Sequence, residues 1–177
     1  MGSLPKAVTE GFSTTRLRVH NWVDLQRDAT QRAALEAGLG GVLTPRVLQH
    51  LPPSLASLGA GGVAQWMQDR LAESVCLVVQ ERHGGAVVGL LILAQPDASG
   101  PNPQVHIGYL LSEASWGNGY ATELVRGLVA AAKDAILIGG VGKDNPASAS
   151  VLLKAGFRRS EDRSSDDTDV FVWSHSD

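Results

Sequence analysis

Residues 115–124 read SWGNGYATEL, a run that turns from glycine-rich to helix-forming within three positions. Gly117 and Gly119 permit positive φ and place no Cβ between the backbone and a ligand. From Tyr120 the residues favour helix, and the first turn of a helix leaves N–H groups unpaired at the positive end of its dipole. Such a junction suits a pyrophosphate. It is not a Walker loop, because no Gly-Lys-Ser/Thr follows. Nor is it a dinucleotide fingerprint, because GNGYAT lacks the third glycine and a preceding βαβ unit. A strand-to-helix turn with no ligand would use the same glycines, so the pair alone leaves both readings open.

Two further side chains could move protons. His106 sits in VHIGYLL, where strand alternation puts it on the face of Gly108 and Leu110. Its imidazole titrates near neutrality and in its neutral form can accept a proton, directly or through water. Ser148 follows Asn145, a natural helix cap, and Pro146, a natural first helical residue. Positions 148, 151, 152 and 155 share one helix face, so Ser148 points with an otherwise apolar stripe. A serine there also suits a bond to the first-turn backbone. Glu123 is placed to pair with Arg126 at i+3. Cys76 lies within VCLVV, the setting of an inert buried thiol, and no His, Cys or carboxylate spacing suggests a metal site.

The elements that must hold these residues follow from periodicity. The segment 14–22, TTRLRVHNW, alternates as a first strand with Leu17 and Val19 on one face. A helix is expected from Asp24 to about Leu39, ended by Gly38, Gly40 and Gly41. A second should start at Pro45 and stop at Pro52-Pro53. After a glycine join comes a helix with Val63, Trp66, Met67, Arg70 and Leu71 on one face. Trp22, Trp66 and Trp173 read as core or rim aromatics. SVCLVVQE and AVVGLLILA form a hairpin about RHGG, 95–104 a loop, and VHIGYLL another strand. Then come an amphipathic helix through Ala121, Leu124, Val125, Leu128, Val129 and Ala132, the strand AILIGGV, the helix after Asn145, and the strand TDVFVWS. The class is α+β, a mixed sheet with helices on its faces.

With 177 residues, 44% of them hydrophobic, the chain is long enough for one domain with its own core. A net charge of −3 offers no basic field for nucleic acid, and runs such as VVGLLILA are too short to cross a membrane. MGSLPK has the glycine of a myristoylation signal but Lys6 where Ser or Thr is wanted, and no secretory peptide is seen. One cysteine forms no internal disulfide, so the expected compartment is the cytoplasm. Monomer and homodimer both stay open.

WGNGYATE, at 116–123, resembles the pyrophosphate loop of the GNAT superfamily of N-acetyltransferases, in its RimJ/RimL-like branch. TTRLRV, IGYLL and NPASASVLLKAGF resemble further segments of that family, in family order, over about 13–173. The resemblance implies one acetyltransferase domain over 13–175 with residues 1–12 as an N-terminal extension. Acetyl-CoA would lie in a V-shaped cleft between the strands HIGYLL and AILIGGV. Its pantetheine would pair with backbone at Tyr109, Leu110 and Leu111, and its pyrophosphate with the loop Trp116, Gly117, Asn118, Gly119, Tyr120, Ala121 and Thr122. Asn145 would contact the pantetheine or the thiol end. The resemblance also makes Ser148 a proton donor to the leaving thiolate and His106 the base, at a position where relatives often carry glutamate. It departs from the family where a tyrosine commonly follows Ser148, since Leu152 stands there. The implied activity is acetyl transfer to a primary amine, with a non-catalytic acyl-CoA-binding module as the alternative.

Overall fold

The computed structural model describes residues 4, 6–97 and 102–175. The chain enters through a short helix, α1 (Lys6–Glu10), and an edge strand, β1 (Gly11–Ser13). β2 (Leu17–Asn21) follows, with Leu17 and Val19 buried on one face as alternation requires. Next come the helices α2 (Trp22–Leu25), α3 (Ala29–Val42), α4 (Pro45–Leu48) and α5 (Gly62–Leu71). The hairpin of β3 (Val75–Glu81) and β4 (Val87–Asp97) leads to β5 (Gln104–Leu111). A 3-10 turn at Glu113–Ser115 opens into α6 (Tyr120–Ala131), then β6 (Ile136–Gly142) and α7 (Pro146–Lys154). A last hairpin, β7 (Arg158–Ser160) and β8 (Thr168–Trp173), closes the chain.

The strands form one sheet in the order β1-β2-β3-β4-β5-β6-β8-β7. Every pairing is antiparallel except β5 with β6. Alternation divides the apolar residues between two cores, one on each face. Val105, Ile107, Leu137 and Phe171 join Val8 of α1, Leu124, Val125 and Leu128 of α6 and Leu152 of α7. On the other face Cys76, Val78, Leu90, Ile92 and Leu110 meet Trp22, Leu35, Leu39, Trp66 and Met67 from α2, α3 and α5. Trp22 and Trp66 meet edge to face at 6.5 Å, and Arg70 lies buried over the Trp66 ring. The central sheet is thus buried on both sides, which is why its strands read as apolar runs.

Several expectations are corrected. The helix expected from Asp24 to Leu39 is two helices, because the Asp28 carboxylate accepts from the Gln31 N–H and starts a new one. Gly38, Gly40 and Gly41 do not end it. They lie inside α3, where a Cβ on Gly38 would come within 2.8 Å of Val87 and the buried Leu39 and Val42 hold the turn. Burial outweighs glycine's poor helix propensity there. α4 stops at Leu48, ahead of Pro52. The loop expected over 95–104 is narrower, with β4 reaching Asp97, β5 starting at Gln104, and 98–101 outside the described residues. Apart from these corrections, the stretch 6–12 holds α1, whose Val8 is 1% exposed, and part of β1.

β4 carries a bulge. Val79 pairs with Gly89 and Gln80 with Val87, so Val88 is the extra residue. Gly89 lies opposite Leu111, and a Cβ there would collide with the Leu110 carbonyl oxygen. The end of β5, which carries the site, can therefore approach β4 only across a glycine. Gly89→Ala should destabilise the fold by about 1–3 kcal/mol through forced displacement of this backbone. Urea unfolding of the two proteins measures it, and equal midpoints would show that the strands accommodate the methyl group.

Candidate active site

The parallel ladder between β5 and β6 runs from Gln104 opposite Ile136 to Ile107 opposite Gly139, and there it ends. β5 continues to Leu111 along β4, and β6 continues to Gly142 along β8. A V-shaped gap opens between them. The Ser112 N–H bonds to the Val88 carbonyl, so by strand alternation the backbone groups of Leu110 and Gly108 face β4. Those of Tyr109 and Leu111 face the gap. Of the three backbone residues expected to pair with a ligand, two are turned to receive it and Leu110 is not. The indole N–H of Trp116 occupies the Leu111 carbonyl at 2.9 Å, which leaves the Leu111 N–H and both backbone groups of Tyr109 along that edge.

The glycine loop stands at the open end of the gap. Gly117 and Gly119 have φ of 75° and 77°, in the left-handed region that favours glycine. Gly119 is the cap residue of α6 and has no side chain to fold back over the helix end. The first backbone bond of the helix runs from the Glu123 N–H to the Gly119 carbonyl, so the N–H groups of Tyr120, Ala121 and Thr122 lie ahead of the ladder. Around a Cβ built on Gly117 there is open space within 4 Å, and on Gly119 only the Arg16 guanidinium approaches. The end is open, unclashed and positive.

Arg16 is a residue that sequence reading missed. Its guanidinium lies 4.5 Å above the Tyr120 ring, donates to the Asn118 carbonyl at 2.9 Å and to Glu123 at 2.7 Å. Arg46 similarly lies 5.2 Å above Trp116 and bonds to Glu113. Glu123 does not pair with Arg126, as its i+3 spacing suggested. It accepts from the Thr14 hydroxyl, the Arg16 backbone N–H and the Arg16 side chain, while Arg126 donates to the Lys154 carbonyl. Tyr120 donates to Glu81 at 2.7 Å. No local pattern in TTRLRV signals contacts across more than a hundred residues.

The two proton-moving candidates lie on opposite faces of the sheet. His106 stands between Ala94 and Ile138, just short of the apex, on the face of Leu110. Partial burial and the Arg163 cation hold its imidazole below its ordinary pKa. Ser148, in the first turn of α7, lies on the other face, where Tyr109 reaches it across the gap with 2.7 Å between hydroxyl oxygens. Asn145 caps α7 by accepting from the Ser148 N–H at 3.2 Å. Leu152, one turn on, packs against Gly139 at the apex. Cys76 takes no part: it is buried and its thiol is pushed up to about 11. Among the described residues no cluster of His, Cys, Asp or Glu is placed to hold a metal, and no helix is long and apolar enough to cross a membrane.

A sequence profile of the acetyltransferase (GNAT) domain matches residues 19–158. The chain belongs to the GNAT acetyltransferase family. It is an acyltransferase, and acetyl-CoA is the cosubstrate of that family. Among solved structures, a probable GNAT acetyltransferase from Chromobacterium violaceum superposes with a TM-score of 0.73 at 21% identity, covering 99% of this chain and 91% of that one. The RimL ribosomal L7/L12 α-N-protein acetyltransferase, in complex with coenzyme A, gives 0.65 at 15%, covering 95% and 100%. The microcin C7 self-immunity acetyltransferase MccE, with acetyl-CoA and AMP, gives 0.65 at 14%, covering 90% and 93%. At these identities the likeness is one of fold. A comparison with curated protein sequences returned no match.

The GNAT chain also carries an open groove of about 660 Å³ running from the glycine loop along α6, lined by Thr14, Arg16, Gly119, Thr122, Arg126 and Lys154 among others. A second hollow of about 480 Å³ lies between α3 and α5, with no residue of β5, β6 or the loop in its lining. Glu123 ties the first groove to the β1–β2 turn. Burial alone would raise its pKa, but the bonds from Thr14 and Arg16 hold it below the usual carboxylate value of 4.5. A depressed carboxylate stabilises the fold above its unfolded pKa and loses that contribution as pH falls through the folded one. The melting-temperature gap between wild type and Glu123→Gln should therefore be full at pH 7 and close progressively below pH 4.5. A gap that stays constant down to pH 2 would show that shape rather than charge holds the turn.

Proposed function

We propose that this enzyme moves the acetyl group of acetyl-CoA to a primary amine by direct attack within a ternary complex. The observation that carries this reading is a parallel strand pair parting at Ile107 and Gly139, with a glycine-opened helix end standing over the gap. The Tyr109 carbonyl and the Leu111 N–H offer the pantetheine the bonds of an added strand. The backbone from Gly117 to Thr122 holds the pyrophosphate, with Arg16 as the adjacent cation and Trp116 and Asn118 fixing the loop. Asn145 spends its oxygen on the Ser148 N–H, which leaves its amide nitrogen as the donor toward the cosubstrate. The Tyr109 N–H polarises the thioester carbonyl, Ser148 protonates the leaving sulfur, and His106 takes the proton of the amine.

The acceptor we favour is the amine of a protein N-terminus, an amino acid or another small molecule, in keeping with a RimJ/RimL-like branch. WGNGYATE supports that branch, and the structural likeness to RimL is compatible with it. The catalytic unit is a single domain over 13–175, preceded by an extension whose helix α1 packs Val8 into the core. A lone, buried thiol suits the cytoplasm. The deciding assay is a thiol-release screen of amino acids, peptides and polyamines with acetyl-CoA. Amine-dependent release supports transfer, and binding of coenzyme A with no release by any amine would leave a binding module instead.

Two variants test the parts separately. Gly119→Val should weaken acetyl-CoA binding, because a β-branched residue resists φ of 77° and crowds Arg16. Calorimetric titration of the folded variant reads this, and unchanged affinity would remove the loop from the binding site. His106→Ala should slow turnover roughly 10²–10⁴-fold with acetyl-CoA affinity near wild type. Only the neutral ring accepts a proton, and the folded pKa lies below 6.5. Wild-type turnover should thus persist through pH 6.5 and fall only at lower pH. His106→Gln should not restore the rate, since an amide does not titrate. An alanine variant that keeps both its rate and its acid limb would assign the base elsewhere.

A further inference from the structure

One turn beyond Ser148 the helix carries Leu152, which is buried against Gly139 and has no proton to give. A phenol nevertheless reaches the same gap from the strand side. Tyr109 lies two residues beyond the last parallel pair, and its hydroxyl oxygen sits 2.7 Å from Ser148 Oγ and 3.2 Å from the Ser148 carbonyl oxygen. The backbone of Ser148 is fixed in turn by its N–H bond to Asn145.

A hydroxyl has one proton, so the direction of the shorter bond decides what the pair can do. If Ser148 donated to Tyr109, the phenol would donate to the carbonyl and neither group would offer a proton to the gap. If Tyr109 donates to Ser148 Oγ, the serine proton is free to point into it. A phenol is a much stronger acid than an aliphatic alcohol, and the Oγ contact has the usual O–H···O length whereas the carbonyl contact is long. Both facts favour the phenol as donor.

We propose that Tyr109 is a positioning residue for Ser148, aiming its hydroxyl proton at the departing sulfur and replacing that proton as it leaves. The inference rests on the acetyl-transfer reading above. In the step, the amine lone pair forms the new C–N bond and the C–S bond breaks with its electron pair on sulfur. Sulfur takes the Ser148 proton, Ser148 Oγ takes the Tyr109 proton, and the phenolate recovers a proton from water. The proton shed by nitrogen leaves on the opposite face, so the products are an amide and a neutral thiol. Burial pushes the Tyr109 phenol up to about 12, which keeps it protonated and a donor throughout the neutral range.

The test compares Tyr109→Phe with wild type on an accepted amine, using acetyl-CoA and its selenoester analogue. A selenolate leaves without needing a proton, so it reports whether the lost hydroxyl served the leaving group. The expected result is a kcat lower by roughly 10²-fold with acetyl-CoA, an unchanged KM, and a rate close to wild type with the selenoester. Ser148→Ala should show the same split, and the double variant should be no worse than either single one. This second arm keeps the test valid if Tyr109→Phe melts early. An unchanged kcat, or an equal loss on both donors, overturns the role of Tyr109 and leaves acetyl transfer standing. A wild type that releases no thiol with any amine overturns acetyl transfer itself, and the relay with it.

Discussion

Two neighbouring parallel strands stop pairing in the middle of this sheet, and the site depends on their doing so. Interrupting a sheet normally strands backbone groups that need partners. Here the loss is confined, because β5 stays bonded to β4 and β6 to β8 on their outer edges. Only the inner edges are left, and on β5 they belong to Tyr109 and Leu111. Trp116 already satisfies the Leu111 carbonyl. The remaining N–H and C=O groups form a short unpaired edge in the interior of a sheet, which an extended ligand can complete and another protein strand cannot enter. The gap is therefore a consequence of topology, and side chains only decide its width and chemistry.

Width is set at the apex by small and large residues in opposition. Gly139 lets Leu152 pack where a Cβ would meet it at 2.8 Å, and this draws α7 down onto β6. Tyr109 and Ser148 then span the gap one step further out. Because alternate residues of one strand point to opposite faces, His106 and Tyr109 cannot share a side. The same constraint would separate the proposed base for the incoming amine from the proposed donor for the outgoing thiol. Neither group can quench the other by direct hydrogen bonding, so each keeps the protonation state that its task needs.

The segments whose chemistry is local were legible in the sequence. The Gly117 and Gly119 loop, the Asn145 cap and the apolar stripe of α6 each carry their own backbone signal, and each falls where that signal puts it. What was not legible depended on distant partners. α3 runs through three glycines because Leu39 and Val42 are buried and Gly38 fits Val87 of another element. Glu123 looked toward Arg126, its helical neighbour, but binds Thr14 and Arg16 from the far end of the chain. β7 is three residues, RRS, mostly exposed, and becomes a strand only because β8 lies beside it. The facing of Tyr109 and Leu111 toward the gap, and of Leu110 away from it, needed the register with β4.

A carboxylate in the first turn of α6 raises an apparent conflict, since Glu123 stands within one turn of a proposed pyrophosphate site. Repulsion between the two would oppose binding if the carboxylate charge faced the loop unshielded. It does not, because both its oxygens are taken up by Thr14 and by the backbone and side chain of Arg16. Those bonds hold the guanidinium against Asn118 and over Tyr120, so the carboxylate acts as an anchor for a cation that would otherwise swing in solvent. An arginine immobilised before the ligand arrives loses little conformational entropy on binding it. An acid beside the proposed anion site would thus aid binding by fixing the position of its counter-charge. A glycine at the helix cap complements this, since it takes φ of 77° and adds no side chain beside that guanidinium.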